Sequence, residues 1–474
     1  MLAACGVWRL PPDPRPAADP LALAPPTADQ TWQPSEPAEA LRAPADAWQA
    51  GARVLPDTTA RYDLPALIDV ALRDNPDTRA AWEAARQAAA GYGRSLAPFY
   101  PTLAIDAALT PARRELEEVP NAPLTVHLRS AEPGIALTYT LLDFGRRSQG
   151  AELARQRLIA ANFTFNRRLQ DVVFAVQRAY YRLDAALGLD RAAESNLALA
   201  RTVLTAADQR LAVGLATRPE MLLAKQAEAR AHYQLESAHV AVKNAEADLA
   251  LTLGLPADRP LAIEPLDAQT APPELDDAVE TLIAAALRHR PDLAASAAQL
   301  RAAEAAAARA RAAYLPTLDF RGRYGQQALD YSAAGMSGLS ANEPVYDTLF
   351  AFRWELFTGF DRRNAEREAE AARAGATADL AAAQLGAIAE VWRAYHDYRA
   401  AVRKLTFAQA LLTAAQDAYD GTLRSYQLGL GDIVELLTAE SDLADARYTL
   451  VLSKAELLVT AARIAYAAGA APSG

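Results

Sequence analysis

Residues 71–77 read Ala71-Leu72-Arg73-Asp74-Asn75-Pro76-Asp77, and residues 286–292 read Ala286-Leu287-Arg288-His289-Arg290-Pro291-Asp292. The two stretches lie 215 residues apart, and the same offset recurs elsewhere. It carries Pro101-Thr102-Leu103 onto Pro316-Thr317-Leu318, and Arg178-Ala179-Tyr180 onto Arg393-Ala394-Tyr395. It also carries Gly214-Leu215 onto Gly429-Leu430, and Glu220 onto Glu435. One register holding at separated places without a gap marks an internal duplication. The repeats occupy 62–255 and 276–474, joined by a proline-rich irregular segment at 256–275.

Each repeat reads as one series of elements. An alanine- and arginine-rich helix comes first, at about 63–97 and 276–313, with a proline a few residues beyond. A strand pair follows, at about 101–142 and 316–357. In the first pair Leu103, Ile105, Ala107 and Leu109 alternate with Thr102, Ala104, Asp106 and Ala108; Ile135, Leu137, Tyr139 and Leu141 alternate on the return. The second pair places Leu318, Phe320, Gly322 and Tyr324, then Phe350, Phe352, Trp354 and Leu356, in the matching phase. Asp319, Arg321, Arg323, Arg353 and Glu355 take the opposite phase. Period two is the strand signal, and an apolar face of about 9–11 residues backed by a charged one suits a membrane barrel. Phe99, Tyr100 and Phe144, matched by Tyr314, Phe357 and Phe360, supply interfacial aromatics at one end. The alternation places Ile105, Leu137, Tyr139, Phe320, Phe352 and Trp354 toward lipid, and Thr138, Arg321 and Arg353 toward water. The connections, about 111–133 and 325–346, contain proline, glycine and polar residues and read as exposed loops.

No proline occurs between Pro133 and Pro219, nor between Pro344 and Pro472. Long helices are expected at about 145–212 and 360–427. Phe165, Leu169, Val172, Val176, Ala179, Leu183 and Leu187 form a seam at spacings of three and four. About 65–70 residues at 1.5 Å per residue reach roughly 100 Å, too long for a globular core. Val213-Gly214-Leu215 and Leu428-Gly429-Leu430 supply the turns, and return helices run at about 219–253 and 432–468. The fold class is therefore mainly α with a membrane β-barrel portion, built from a duplicated helix–hairpin–long helix–helix unit.

The formal charge of -10 argues against nucleic acid, which requires a clustered basic face. No run of about 18 apolar residues offers a spanning helix. Cys5 is the lone cysteine and stands in Leu2-Ala3-Ala4-Cys5-Gly6, a lipobox-like setting in which a cysteine is lipidated as the mature N-terminus. Prolines from Pro11 to Pro56 make residues 1–61 an extended leader, a tether if Cys5 carries lipid. Beyond that covalent lipid no cofactor is expected. His232 and His239 lack a third ligand in sequence, while His127, His289 and His396 form no cluster, so no metal site is expected. Neither a phosphate loop nor a catalytic triad is legible, and an enzyme is not expected.

The duplicated Asn75-Pro76 and Arg290-Pro291 helices, the Tyr100-Pro101-Thr102-Leu103 and Tyr314-Leu315-Pro316-Thr317-Leu318 strand starts, the Leu142-Asp143-Phe144-Gly145-Arg146-Arg147 exit and the Val213-Gly214-Leu215 turn together resemble the TolC-like outer-membrane efflux family. The resemblance implies a homotrimer with four strands per chain closing one twelve-stranded barrel on a hollow helical cylinder in the periplasm. It implies a periplasmic adaptor docking at Val213, Gly214, Leu215, Leu428, Gly429 and Leu430, and an inner-membrane pump that supplies energy. It further implies a periplasmic gate in which Tyr426 bonds to Glu220 and Glu435 faces the lumen. Gly431 and Thr438 stand where a basic and a second acidic residue are often found, so fewer braces are expected. The expected function is passive export of small molecules or drugs; the alternatives are protein secretion and a soluble coiled-coil scaffold.

Overall fold

The structure, a computed structural model, describes residues 61–116, 124–258, 261–265, 278–333 and 336–469. Cys5, the leader up to residue 60 and most of the joining segment lie outside the described residues. The first repeat comprises β1 (Arg61–Tyr62), α1 (Leu64–Asp74), α2 (Pro76–Leu96), β2 (Thr102–Leu116), β3 (Leu124–Leu142), α3 (Arg146–Ala212) and α4 (Arg218–Leu253). The joining segment contributes β4 (Ala262–Ile263), and the second repeat comprises α5 (Val279–His289), α6 (Pro291–Ala312), β5 (Thr317–Ala333), β6 (Met336–Arg353), α7 (Asp361–Gln427) and α8 (Ile433–Ala467).

Two sequence expectations are corrected. The single helices at 63–97 and 276–313 are each two helices, because Pro76 and Pro291 open a new helix rather than continue the old one. The residue before each proline is pushed out of the helical region, at φ -66°, ψ 125° for Asn75 and φ -68°, ψ 123° for Arg290. The connections expected at 111–133 and 325–346 are mostly strand, with β2–β3 pairing running from Thr102↔Thr138 to Leu116↔Leu124. Proline had signalled a loop, but Pro111 and Pro344 lie on the two edge strands, where a missing N–H need cost no ladder bond. Pro133 lies on an inner strand, at a gap in the β3–β5 ladder between Ala131↔Ala328 and Gly134↔Gly325. The strands, at 15–19 residues, therefore exceed the length a bilayer demands.

The four strands form one antiparallel sheet in the order β2-β3-β5-β6, so the two hairpins join through β3 and β5. At Gly134↔Gly325 the backbones approach so closely that a Cβ on Gly325 would lie 2.4 Å from the Pro133 carbonyl oxygen.

Each long helix has 67 residues, close to 100 Å at 1.5 Å per residue. Along α3, Val172, Val176, Ala179 and Leu183 pack with Leu67 and Ala71 of α1 and Leu249 and Leu253 of α4. The equivalent core of the second repeat gathers Val391, Ala394, Tyr398 and Ala401 of α7 with Leu457 and Ile464 of α8. Ala200, Ala207, Ala224, Ala394, Ala401 and Ala446 are fully buried, and so small a side chain lets helix backbones run close together. A short parallel pair, Arg61↔Ala262 and Tyr62↔Ile263, ties the start of the first repeat to the segment that joins the repeats. The Tyr180 hydroxyl donates to the Glu264 carbonyl beside it at 2.7 Å. Among the described residues no helix is long and apolar enough to cross a membrane.

Candidate functional site: the four-stranded sheet and the hairpin tips

Cross-strand register sorts the sheet into two chemically distinct faces. Ile105, Ile135, Tyr324 and Tyr346 align in one row, with Tyr139, Phe320 and Phe350 in another and Leu318 and Phe352 in a third. Ile105 is 87% exposed and Tyr346 80%, so among the described residues nothing covers this apolar face. A contiguous apolar surface of this extent seeks an apolar environment. The other face carries Arg323, which meets Asp106 at 3.4 Å and Glu132 at 3.3 Å, while Gln327 donates to Glu132 at 2.8 Å. Thr140 donates to Asp319 there at 2.7 Å. Trp354, just past β6, donates its indole N–H to the Tyr314 carbonyl at 3.0 Å. Strands β2 and β6 each have a neighbour on one side only, leaving two edges for another chain.

Where sheet becomes helix, both repeats use two successive left-handed residues: Phe144 (φ 51°) and Gly145 (φ 94°), then Gly359 (φ 62°) and Phe360 (φ 66°). Arg147 locks the first corner by bonding Asp143, the Pro98 carbonyl at 3.0 Å and the Thr140 carbonyl at 2.6 Å. Arg362, at the 215 offset, reaches Thr358 and the Ala313 carbonyl.

At the far ends of the long helices, Gly214 (φ 74°) and Gly429 (φ 78°) turn the chain in a conformation that glycine adopts without a Cβ clash. Val213, Leu215, Leu428 and Leu430 are all at least two-thirds exposed around them. Each return helix is capped. Thr217 and Glu220 form a reciprocal capping box, and the Asp432 carboxylate accepts from the Val434 and Glu435 amides. Glu220 thus spends its carboxylate on Thr217, at 3.2 Å from the amide and 2.9 Å from the hydroxyl. Glu435 is exposed. Tyr426 is buried, with its hydroxyl unpartnered, so the expected Tyr426–Glu220 bond is not made within the chain. The capping box and the Tyr426 hydroxyl's inward burial account for this.

The tips are instead joined by Arg210. Its guanidinium bonds the Tyr426 carbonyl, donates to the Leu215 carbonyl at 3.2 Å, and lies 4.6 Å from the centre of the Tyr426 ring. Burial raises the Tyr426 hydroxyl pKa, Arg210 lowers it and Glu220 raises it again. One cation therefore holds both turns, through hydrogen bonds and a cation–π contact.

A family model described as "Outer membrane efflux protein" matches residues 67–255 and 282–470, the two repeats almost end to end. The chain belongs to this family. Protein CyaE of Bordetella pertussis is 32% identical over 437 residues, covering 91% of this chain and 88% of that one. The CmeC outer membrane channel of Campylobacter jejuni superposes with a TM-score of 0.75 at 18% identity, over 86% of this chain and 85% of that one. The outer-membrane channel OprN superposes with a TM-score of 0.74 at 21% identity, over 86% and 90%. The fold is that of TolC-like channels, and the family is one of outer-membrane efflux channels rather than enzymes.

Within this efflux protein, sequence reasoning passed over Arg210 and a buried polar group higher in the helices. Glu440 of α8 is buried with one oxygen unpartnered, and burial lifts its carboxyl to about 7. Tyr419 of α7, also unpartnered at its hydroxyl, is pushed up to about 12 by burial and then by Glu440. Arg447 bonds Asn196 at 2.9 Å and Gln416 at 3.4 Å nearby. The available signal was a break in the repeat. Arg210 corresponds to Ser425, Tyr426 to Leu211 and Glu440 to Lys225, so these are places where the halves diverged.

Proposed function

We propose that three copies of this chain close a twelve-stranded outer-membrane barrel and form a passive duct, the exit of a tripartite efflux system for small molecules or drugs. The observation that carries this reading is the uncovered apolar face of a sheet that also has two unpaired edges. Lipid satisfies the face, and pairing β6 of one copy with β2 of the next satisfies the edges. Ile105, Leu137, Tyr139, Phe320, Phe352 and Trp354 then meet lipid, while Thr138, Arg321 and Arg353 meet water. A lipid on Cys5 would anchor the leader to the same membrane. The exposed Val213-Gly214-Leu215 and Leu428-Gly429-Leu430 turns are the docking points for a periplasmic adaptor, which links the duct to an inner-membrane pump.

The tips form the gate in this reading. Glu435 rings the aperture and selects for cations, and Arg210 braces Tyr426 within each chain. Any bond between Tyr426 and Glu220 belongs to a rearranged or intersubunit state. Deleting the gene should raise susceptibility to small toxic compounds several-fold, with restoration by the intact chain. Unchanged susceptibility, together with loss of a secreted protein from the medium, would replace drug efflux with the protein-secretion reading.

A further inference from the structure

Asp190 and Glu194 of α3 and His239 of α4 bring their donor atoms within 4.8 Å of one another. The sequence gives no hint of this trio, since His239 lies 45 residues from Glu194 and meets it only when α4 returns along α3. His239 Nε2 is 3.3 Å from Asp190 Oδ1. Yet that buried oxygen has no hydrogen-bond partner, because the approach lacks hydrogen-bond geometry. The spacing is instead close to the edge, about 3.3–3.5 Å, of a tetrahedron whose metal–ligand bonds are about 2.0–2.1 Å. Glu194 lies one turn beyond Asp190 and is exposed, so a rotamer change can bring it in. On the other side of the imidazole, the exposed Glu236 carboxylate stands 3.9 Å from Nδ1.

The fold does not require these residues. At the 215 offset the second repeat carries Leu405, Gln409 and Lys454, with Val451 in place of Glu236, and packs α7 against α8 without them. We propose that Asp190, Glu194 and His239 bind a divalent transition cation of the zinc class, with water completing the coordination. One nitrogen and two carboxylate donors from two helices, leaving an open position, suit that class. Bound there, the cation clamps α3 to its return helix and stiffens the α3–α4 pair but not the α7–α8 pair.

The test uses the full chain with Cys5→Ser, purified in detergent without a histidine tag, stripped with EDTA and titrated with zinc ion by calorimetry. One saturable site per chain is expected, with a rise in melting temperature that EDTA reverses. His239→Ala and, as a milder change at an exposed position, Glu194→Gln should each weaken binding at least about tenfold. His232→Ala serves as the control, because His232 lies beside Arg201 and the single carboxylate of Glu228 and should leave binding unchanged. Absence of saturable binding, or parent-like binding by both His239→Ala and Glu194→Gln, overturns the proposal. So does an equal loss in His232→Ala.

Discussion

The two repeats solve the same junction with different chemistry. Where α1 hands over to α2, the Asn75 side chain donates to the Thr252 carbonyl at 2.8 Å and accepts from the Asp77 amide at 2.7 Å. The counterpart in the second repeat is Arg290, which reaches the Ala467 carbonyl at 3.2 Å, Asp292 at 2.8 Å and Glu390 at 2.6 Å. Thr252 and Ala467, like Asp77 and Asp292, are themselves 215 residues apart. Both junctions are closed by a left-handed glycine. A Cβ on Gly254 would sit 2.9 Å from Pro76, and one on Gly469 would sit 3.0 Å from Arg290. The backbone arrangement is thus common to both, while a neutral amide in one half has become an ion network in the other. Burial pulls the Arg290 guanidinium down, but hydrogen bonds to Asp292 and Glu390 outweigh it and hold its pKa above the ordinary value. Asp292 is lowered in turn, because the Arg290 contacts outweigh its burial.

This difference implies unequal sensitivity. Arg290→Ala should destabilise the helical portion by about 2–4 kcal/mol, since it removes a buried cation from three partners, the Ala467 carbonyl and the partly exposed Asp292 and Glu390 carboxylates. Asn75→Ala should cost about 1–2 kcal/mol, the loss of a cap and one hydrogen bond. Denaturant melts of the two variants, followed by helical circular dichroism, measure the gap. Equal losses would mean that the ion network adds nothing to the shared junction.

Glu440 sharpens the contrast further, because its counterpart is the exposed Lys225. Burial lifts the Glu440 carboxyl to about 7 against an ordinary 4.5, and the Tyr419 hydroxyl beside it is raised in turn by burial and by Glu440. Its neutral form is the one the fold prefers. That contribution is fully present below pH 4.5 and is lost as pH rises through about 7. Glu440→Gln should therefore stabilise the protein at about pH 8, by an amount on the order of 3 kcal/mol, and flatten its pH profile. Lys225→Gln should do neither. Thermal melts across pH test both, and an unchanged slope in Glu440→Gln would show that the carboxylate finds water or Arg447 instead.

In the sheet, by contrast, the repeats should respond alike. Leu137 and Phe352 are equivalent positions on the apolar face. Arginine at either should cost roughly 2–4 kcal/mol near the bilayer midplane and less toward an interface. Detergent-resistant assembly on unheated gels reads the loss, and a large difference between the variants would place the two hairpins at different depths.

The smallest expected effect is at the tips. Because the Tyr426 hydroxyl is unpartnered, Tyr426→Phe should shift stability by no more than about 0.5 kcal/mol and leave single-channel conductance close to the parent value. Arg210→Ala should raise conductance by releasing both turns. A conductance rise in Tyr426→Phe equal to that in Arg210→Ala would restore the tyrosine–glutamate bond as the principal brace.

The duplication, the helix–hairpin–helix series and the glycine turns were determined by the sequence alone, because each rests on a local rule. Period two set the faces of the strands, an absence of proline permitted 67-residue helices, and positive φ selected Gly214 and Gly429. Strand length was not legible, since whether Pro111 and Pro344 end a strand depends on whether that strand lies at an edge. Only the tertiary structure decided the pairing of β3 with β5, the burial of Glu440 and the span of Arg210 from one turn to the other. It also brought His239 to Asp190. These contacts join residues far apart in the chain, and the charge of each partner acquires meaning only once packing has removed its water or supplied its neighbour.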